Sequence, residues 1–153
     1  MLAINHALGG AIIGLSVSNP ALAVPLAFVS HFVLDCVPHF DPPGDELARI
    51  GRPAFRLQLI ADATLCFLLV VFLALSKPKD WLLAAVCAFV ATSPDLFWIP
   101  KFISAQRSGK LLPNSNWFWR MHHNAQWCTG PQLWWVEALW FVSAGTVVIF
   151  LAT

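Results

Sequence analysis

From Leu2 to Leu34 the chain carries no Lys, Arg, Asp or Glu, and three later stretches are almost as free of charge. Arg56 to Leu75 is apolar after its first few residues except for Asp62. Trp81 to Pro100 is uncharged until Asp95, and Pro131 to Ala152 is broken only by Glu137. About 20 helical residues, each rising ~1.5 Å, cross the hydrocarbon core of a bilayer, so each of these three stretches is long enough to span it. The N-terminal run divides at Asn19-Pro20 into Leu2 to Ser18 and Pro20 to Val37. Pro is accommodated at a helix start, so these two pieces read as a helical hairpin. Lipid offers no partner to a free peptide group, and runs of this kind satisfy their backbone internally only as helices. The sequence therefore predicts an all-α fold: a polytopic transmembrane bundle of about five membrane helices, forming one domain over residues 1–153. A composition 58% hydrophobic and 11% charged excludes an ordinary water-soluble domain.

The charges that remain are unevenly placed. With five segments in alternation, the turn Ser76 to Asp80, with Lys77 and Lys79, falls on one side of the membrane. The loops Pro38 to Phe55 and Lys101 to Gly130, with Arg49, Arg52, Lys101, Arg107, Lys110 and Arg120, fall on the other. The bias of Lys and Arg toward cytoplasmic loops makes the second side cytoplasmic, with the N-terminus inside, in a multi-pass inner-membrane protein. A net charge of +1 gives no basis for a nucleic-acid partner.

The ionisable residues within the apolar chain gather at that cytoplasmic side. In Ser30-His31-Phe32-Val33-Leu34-Asp35, His31 and Asp35 are four residues apart and stand one above the other on a helix, so a ring nitrogen and a carboxylate oxygen can hold one ion. Pro38 ends that helix and turns His39 and Asp41 back over its end. His6 begins the first helix, Asp95 lies near the end of a helix running the same way as the second, and His122-His123 precede the last. Asp62, six residues after Arg56, lies roughly 9 Å inside its helix, and Glu137 lies at a similar depth. Ionisable groups in membrane segments are expensive to bury and mark function. Their grouping in one leaflet predicts a shared polar cavity, over which the loops at Pro42-Pro43-Gly44 and Leu112-Pro113-Asn114 can fold. Among the loop cations, Arg49, Arg52 and Arg120 are candidates for binding phosphate, whose geometry guanidinium matches.

His6, Ser30-His31-x-x-x-Asp35, Ser93-Pro94-Asp95-Leu96 and His122-His123 together resemble the motifs of small bacterial integral-membrane metal-dependent hydrolases. More remotely, the His-x-x-x-Asp element resembles that of zinc-dependent phospholipases C. In the family, the Ser-His-x-x-x-Asp helix follows the other elements, whereas here it comes first. The resemblance implies a metal centre drawn from His6, His31, Asp35, His39, Asp95, His122 and His123. Zinc suits this set of nitrogen and oxygen donors, and manganese or iron is chemically acceptable. The expected activity is hydrolysis of a phosphate ester of a membrane lipid or other amphiphile, with Asp41 or Asp62 taking the proton. Two other readings are a proton- or metal-ion-handling transporter and a non-enzymatic membrane protein with a vestigial metal site.

Overall fold

The computed structural model describes residues 1–113 and 117–153, whose regular elements are all helices, with no strand among them. Asn114, part of one expected loop, lies outside the described residues. Helices α1 (Ala3–Ser16) and α2 (Pro20–Asp35) form the N-terminal hairpin, with the Asn19 side chain accepting the Ala21 amide to cap α2. Helix α4 (Pro53–Ser76) and the final helix α8 (Trp134–Ala152), extended at its start by the 3₁₀ turn Pro131–Leu133, are long and apolar enough to cross a membrane. Helices α1 and α2 have 14 and 16 residues and are shorter than a typical crossing.

The expected uninterrupted helix from Trp81 to Pro100 is broken. Helix α5 (Trp81–Leu96) ends and α6 (Ile99–Ser108) departs at 43°, so the pair counts as a third span only if a bent one is admitted. The break follows from Pro100, which has no N–H to offer the carbonyl four residues back, at Leu96. Two stretches read as irregular loops also contain short helices. Helix α3 (Glu46–Gly51) starts where Asp45 accepts the Ala48 amide at 2.8 Å. Helix α7 (Trp117–Ala125) presents its one buried residue, His122, to the bundle.

Helix α1 is the centre of the bundle, and it meets α5 through small residues. Ideal Cβ atoms on Gly10 and Gly14 would lie 2.3 Å from the Cys87 carbonyl oxygen and 2.4 Å from the Ala84 Cα. No larger residue permits that approach, which is how Gly-x-x-x-Gly faces pack helices in lipid. Ala84, Ala88 and Ala91 complete the seam, and all are buried. The outer faces of α4 and α8 are different: Leu57, Phe67, Leu75 and Phe150 are each at least 66% exposed. Apolar surface on this scale would cause a soluble chain to associate, whereas lipid covers it without penalty.

Candidate metal centre

Asp35, the last residue of α2, is buried where three helices bring histidines together. Its Oδ2 lies 3.2 Å from His31 Nε2, one turn back on α2, and 3.0 Å from His122 Nε2 on α7. Its Oδ1 lies 3.3 Å from His6 Nε2 on α1 and 3.1 Å from the Met1 amino nitrogen. His31 Nδ1 donates to the Ala91 carbonyl at 2.8 Å, since a carbonyl can only accept. That bond fixes the tautomer of the neutral ring and leaves the Nε2 lone pair aimed at the cluster, as when a ligating histidine donates its other nitrogen to a carbonyl. His31 Nε2 and His122 Nε2 are 3.0 Å apart, and Asp95 Oδ1 on α5 is 3.6 and 3.5 Å from them.

These separations match a first coordination shell. Four ligands held tetrahedrally at 2.0–2.1 Å from zinc are about 3.3–3.4 Å from one another. The separations of His31 and His122 from each other, from Asp35 and from Asp95 run from 3.0 to 3.6 Å. His6 supplies a second observation. It is fully buried and stacks on His31 with ring centroids 4.0 Å apart, yet neither ring nitrogen has an aligned hydrogen-bond partner. A buried polar atom left unmet costs about 1–3 kcal/mol, and a cation beside Asp35 would meet it. The donors therefore fit a divalent metal in two overlapping groups, His6–His31–Asp35 and His31–Asp95–His122.

Asp95 and His122 face a cavity of about 680 Å³, and the Asp95 side chain is 35% exposed, so the cluster is open on that side. His39 and His123 line the cavity but join neither donor group. His39 is held by its own loop: Nδ1 donates to the Val37 carbonyl at 2.7 Å, and its backbone pairs with Cys128 and Gly130. Burial pushes its imidazole below the ordinary histidine value. His123 is exposed because neighbours on a helix point about 100° apart, so only one of the pair can turn inward.

Asp62, one of the two carboxylates expected to act as base, and Glu137 at a similar depth are both already engaged. Asp62 accepts the amides of Ala3 and Ile4, each at 2.8 Å. Glu137 accepts the Leu2 amide at 3.2 Å and the Asn5 side chain at 2.6 Å. Helix α1 has no side-chain cap of its own, and its first N–H groups must find acceptors within the protein. Asp62 and Glu137 provide them from two other helices, and negative charge there also suits the helix dipole. Asp41 lines the cavity and pairs with Arg49, which lines it too. Arg52 and Arg120 do not line it: Arg52 is exposed and donates to the Pro43 carbonyl at 2.9 Å, and Arg120 is exposed on α7.

Sequence reasoning missed two residues at the site. Gln126 donates to Asp35 Oδ2 at 3.3 Å, and its spacing of four from His122 was the available signal. Lys101, buried at the cavity wall, lies 3.6 Å from Glu46 and 4.6 Å from the centre of the Trp119 ring. A lone Lys directly after Pro100 at the end of an apolar run was its signal. Comparison of the chain with protein-family models, with curated proteins and with solved structures returns no match.

Proposed function

We propose that this protein is a membrane-embedded metal-dependent hydrolase acting on a phosphate ester of a lipid or other amphiphile. The observation that carries the reading is the convergence of His31, Asp35, Asp95 and His122, at ligand-to-ligand spacing, on the edge of a cavity with both charged and apolar walls. Those four residues and His6 would hold the ion, zinc by its preference for mixed nitrogen and oxygen donors. When bound, such an ion polarises a phosphoryl oxygen and makes water acidic enough to attack near neutral pH. His31 is kept in its ligating tautomer by Ala91, and Gln126 steadies Asp35. Asp41 takes the proton, because its pairing with Arg49 engages Oδ1 and holds the side chain at the cavity wall. Asp62, with both oxygens on α1, is assigned a structural role in place of the base role that its depth alone suggested.

The membrane arrangement belongs to the same reading. All five apolar segments are inserted, α1 and α2 as a short hairpin, with the N-terminus and the metal site at the cytoplasmic leaflet. Arg49, Arg52, Lys101, Arg107, Lys110 and Arg120 on that side support this orientation. A transporter would need polar groups reaching through both leaflets. Among the described residues, the opposite end of the bundle offers Asp80 hydrogen-bonded to Ser18 at 3.1 Å, and no relay leads to it.

The test is elemental analysis with hydrolysis assays on detergent-purified protein. Wild type should copurify with about one or two divalent metal ions per chain, and His31→Ala with Asp35→Ala should remove them. Asp41→Asn should keep the metal and slow turnover by about 10²- to 10⁴-fold. Substoichiometric metal unaffected by the ligand substitutions would refute the proposal, as would a metal-replete protein inert toward phosphomonoesters, phosphodiesters and carboxylic esters.

A further inference from the structure

The metal-side cavity continues away from the charged end of the bundle. Cys66 and Thr92 line both that cavity and a second, almost wholly apolar groove of about 200 Å³ between α4 and α5. Cys66, Phe67 and Val70 form its α4 wall, and Phe89 with Thr92 its α5 wall. The floor is Ala7 and Ala88, each 2% exposed, on α1 and α5, which Gly10 and Gly14 bring into close contact. The rim is open: Phe67 and Phe89 are 66% and 62% exposed on faces that meet lipid. Both walls run away from the metal side. Ala88 precedes Asp95 by seven residues on α5, a distance of about 10 Å along the helix.

We infer that this groove is the acyl-chain subsite of an anionic single-chain amphiphile whose phosphate end lies at the metal cluster. The inference rests on the hydrolase reading and adds to it where the substrate's apolar part goes and how it enters. Continuity through Cys66 and Thr92 joins the chain track to the site of chemistry. Arg49 and Lys101 on the cavity wall are paired with Asp41 and Glu46, and an anionic headgroup binds by taking a carboxylate's place on them. The open rim admits the chain sideways from the bilayer, so the substrate never leaves lipid and its headgroup slides into a site already facing the interface. Phe67 and Phe89 flank the chain, and the alanine floor gives it depth.

The probe is hexadecyl phosphate carrying a photoreactive diazirine in mid-chain, added to the metal-loaded full chain in lipid nanodiscs, with insertion sites read by peptide mass spectrometry. Labelling should concentrate on residues 66–70 and 88–92. Unlabelled hexadecyl phosphate should compete it away, whereas hexadecyltrimethylammonium and butyl phosphate should not. Val70→Trp, and separately Val70→Phe as a milder filling, should abolish the competable labelling with metal content unchanged. Lys101→Gln should weaken competition by the phosphate. Labelling spread over the outer faces of α4 and α8 without competition, or competition by the cationic amphiphile equal to that by the anionic one, would overturn the subsite. Hydrolysis of hexadecyl p-nitrophenyl phosphate by the same samples separates the two proposals. Competable labelling without turnover of this diester or of the phosphomonoesters and carboxylic esters above supports the groove and refutes the hydrolase, and turnover without competable labelling refutes the groove alone.

Discussion

Gly10→Ala should weaken metal binding although Gly10 touches no ligand. The added methyl would lie 2.3 Å from the Cys87 carbonyl oxygen, 2.7 Å from its carbon and 2.8 Å from the Ala91 Cβ. Two of these are backbone atoms that cannot swing aside. Comfortable contacts begin near 3.5 Å, so α1 and α5 must part by roughly 1 Å. Overpacking of this kind costs about 1–3 kcal/mol, and replacing a mid-helix Gly by Ala returns about 0.5–1, for a net destabilisation of up to about 2.5 kcal/mol. The displacement acts where the cluster is assembled. His6 is one turn before Gly10 on α1, and the Ala91 carbonyl that orients His31 is one turn after Cys87 on α5. Metal–ligand distances tolerate only about ±0.2 Å, so if the strain is borne at the site, the affinity falls by up to roughly 60-fold. Gly145→Ala is the matched control, because nothing lies within 4 Å of its Cβ. Metal titration and thermal unfolding of both variants in one detergent decide the matter. A Gly10→Ala protein with wild-type metal affinity and melting temperature would refute the close-seam account.

Three further outcomes follow. Asp62→Asn should destabilise the protein by about 1–3 kcal/mol without removing the metal, because it weakens the cap on α1 and leaves the ligands in place, and unfolding in mixed micelles reads it. Burial keeps His39 neutral when folded, so the unfolded chain binds the extra proton first. The stability His39 contributes is therefore present above about pH 6.5 and is lost as the pH falls through the lowered folded value, and His39→Gln should flatten that acid limb of the unfolding profile. In a background lacking the native cysteines, a cysteine at Gly44 should resist impermeant thiol reagents applied outside intact cells while one at Ser76 reacts, and the reverse pattern would turn the protein over in the membrane.

Much of the fold was legible because the apolar runs are bounded by residues that stop helices. Asn19-Pro20 separated α1 from α2, and both observed helices fall within two residues of the sequence boundaries. The His31–Asp35 pair was legible for the same local reason, since four-residue spacing on a helix needs no knowledge of neighbours. Asp95 was read near the end of its helix, and it is the next-to-last residue of α5. What counting could not supply was azimuth: His122 and His123 are indistinguishable until the bundle shows which side of α7 faces inward. The break at Leu96 was written in Pro100, but a proline near a helix end can equally sit inside a continuing span, and only the packing of α6 settled it.

The reading of Asp62 and Glu137 shows a limit of another kind. A carboxylate two turns inside a membrane helix was correctly recognised as needing a partner. Side chains are the only partners that a sequence displays directly. The partners are backbone amides at the start of α1, which every helix possesses and no residue letter marks. The clue lay instead in what α1 lacks: it begins Leu2-Ala3-Ile4 with no Ser, Thr, Asp or Asn at its N-cap. An apolar helix that starts within the bundle without its own cap requires acceptors from elsewhere, and buried acids at matching depth on neighbouring helices are the groups able to provide them. Matching uncapped helix starts to unpaired membrane carboxylates would have assigned Asp62 and Glu137 to α1, leaving Asp35 and Asp95 for the metal.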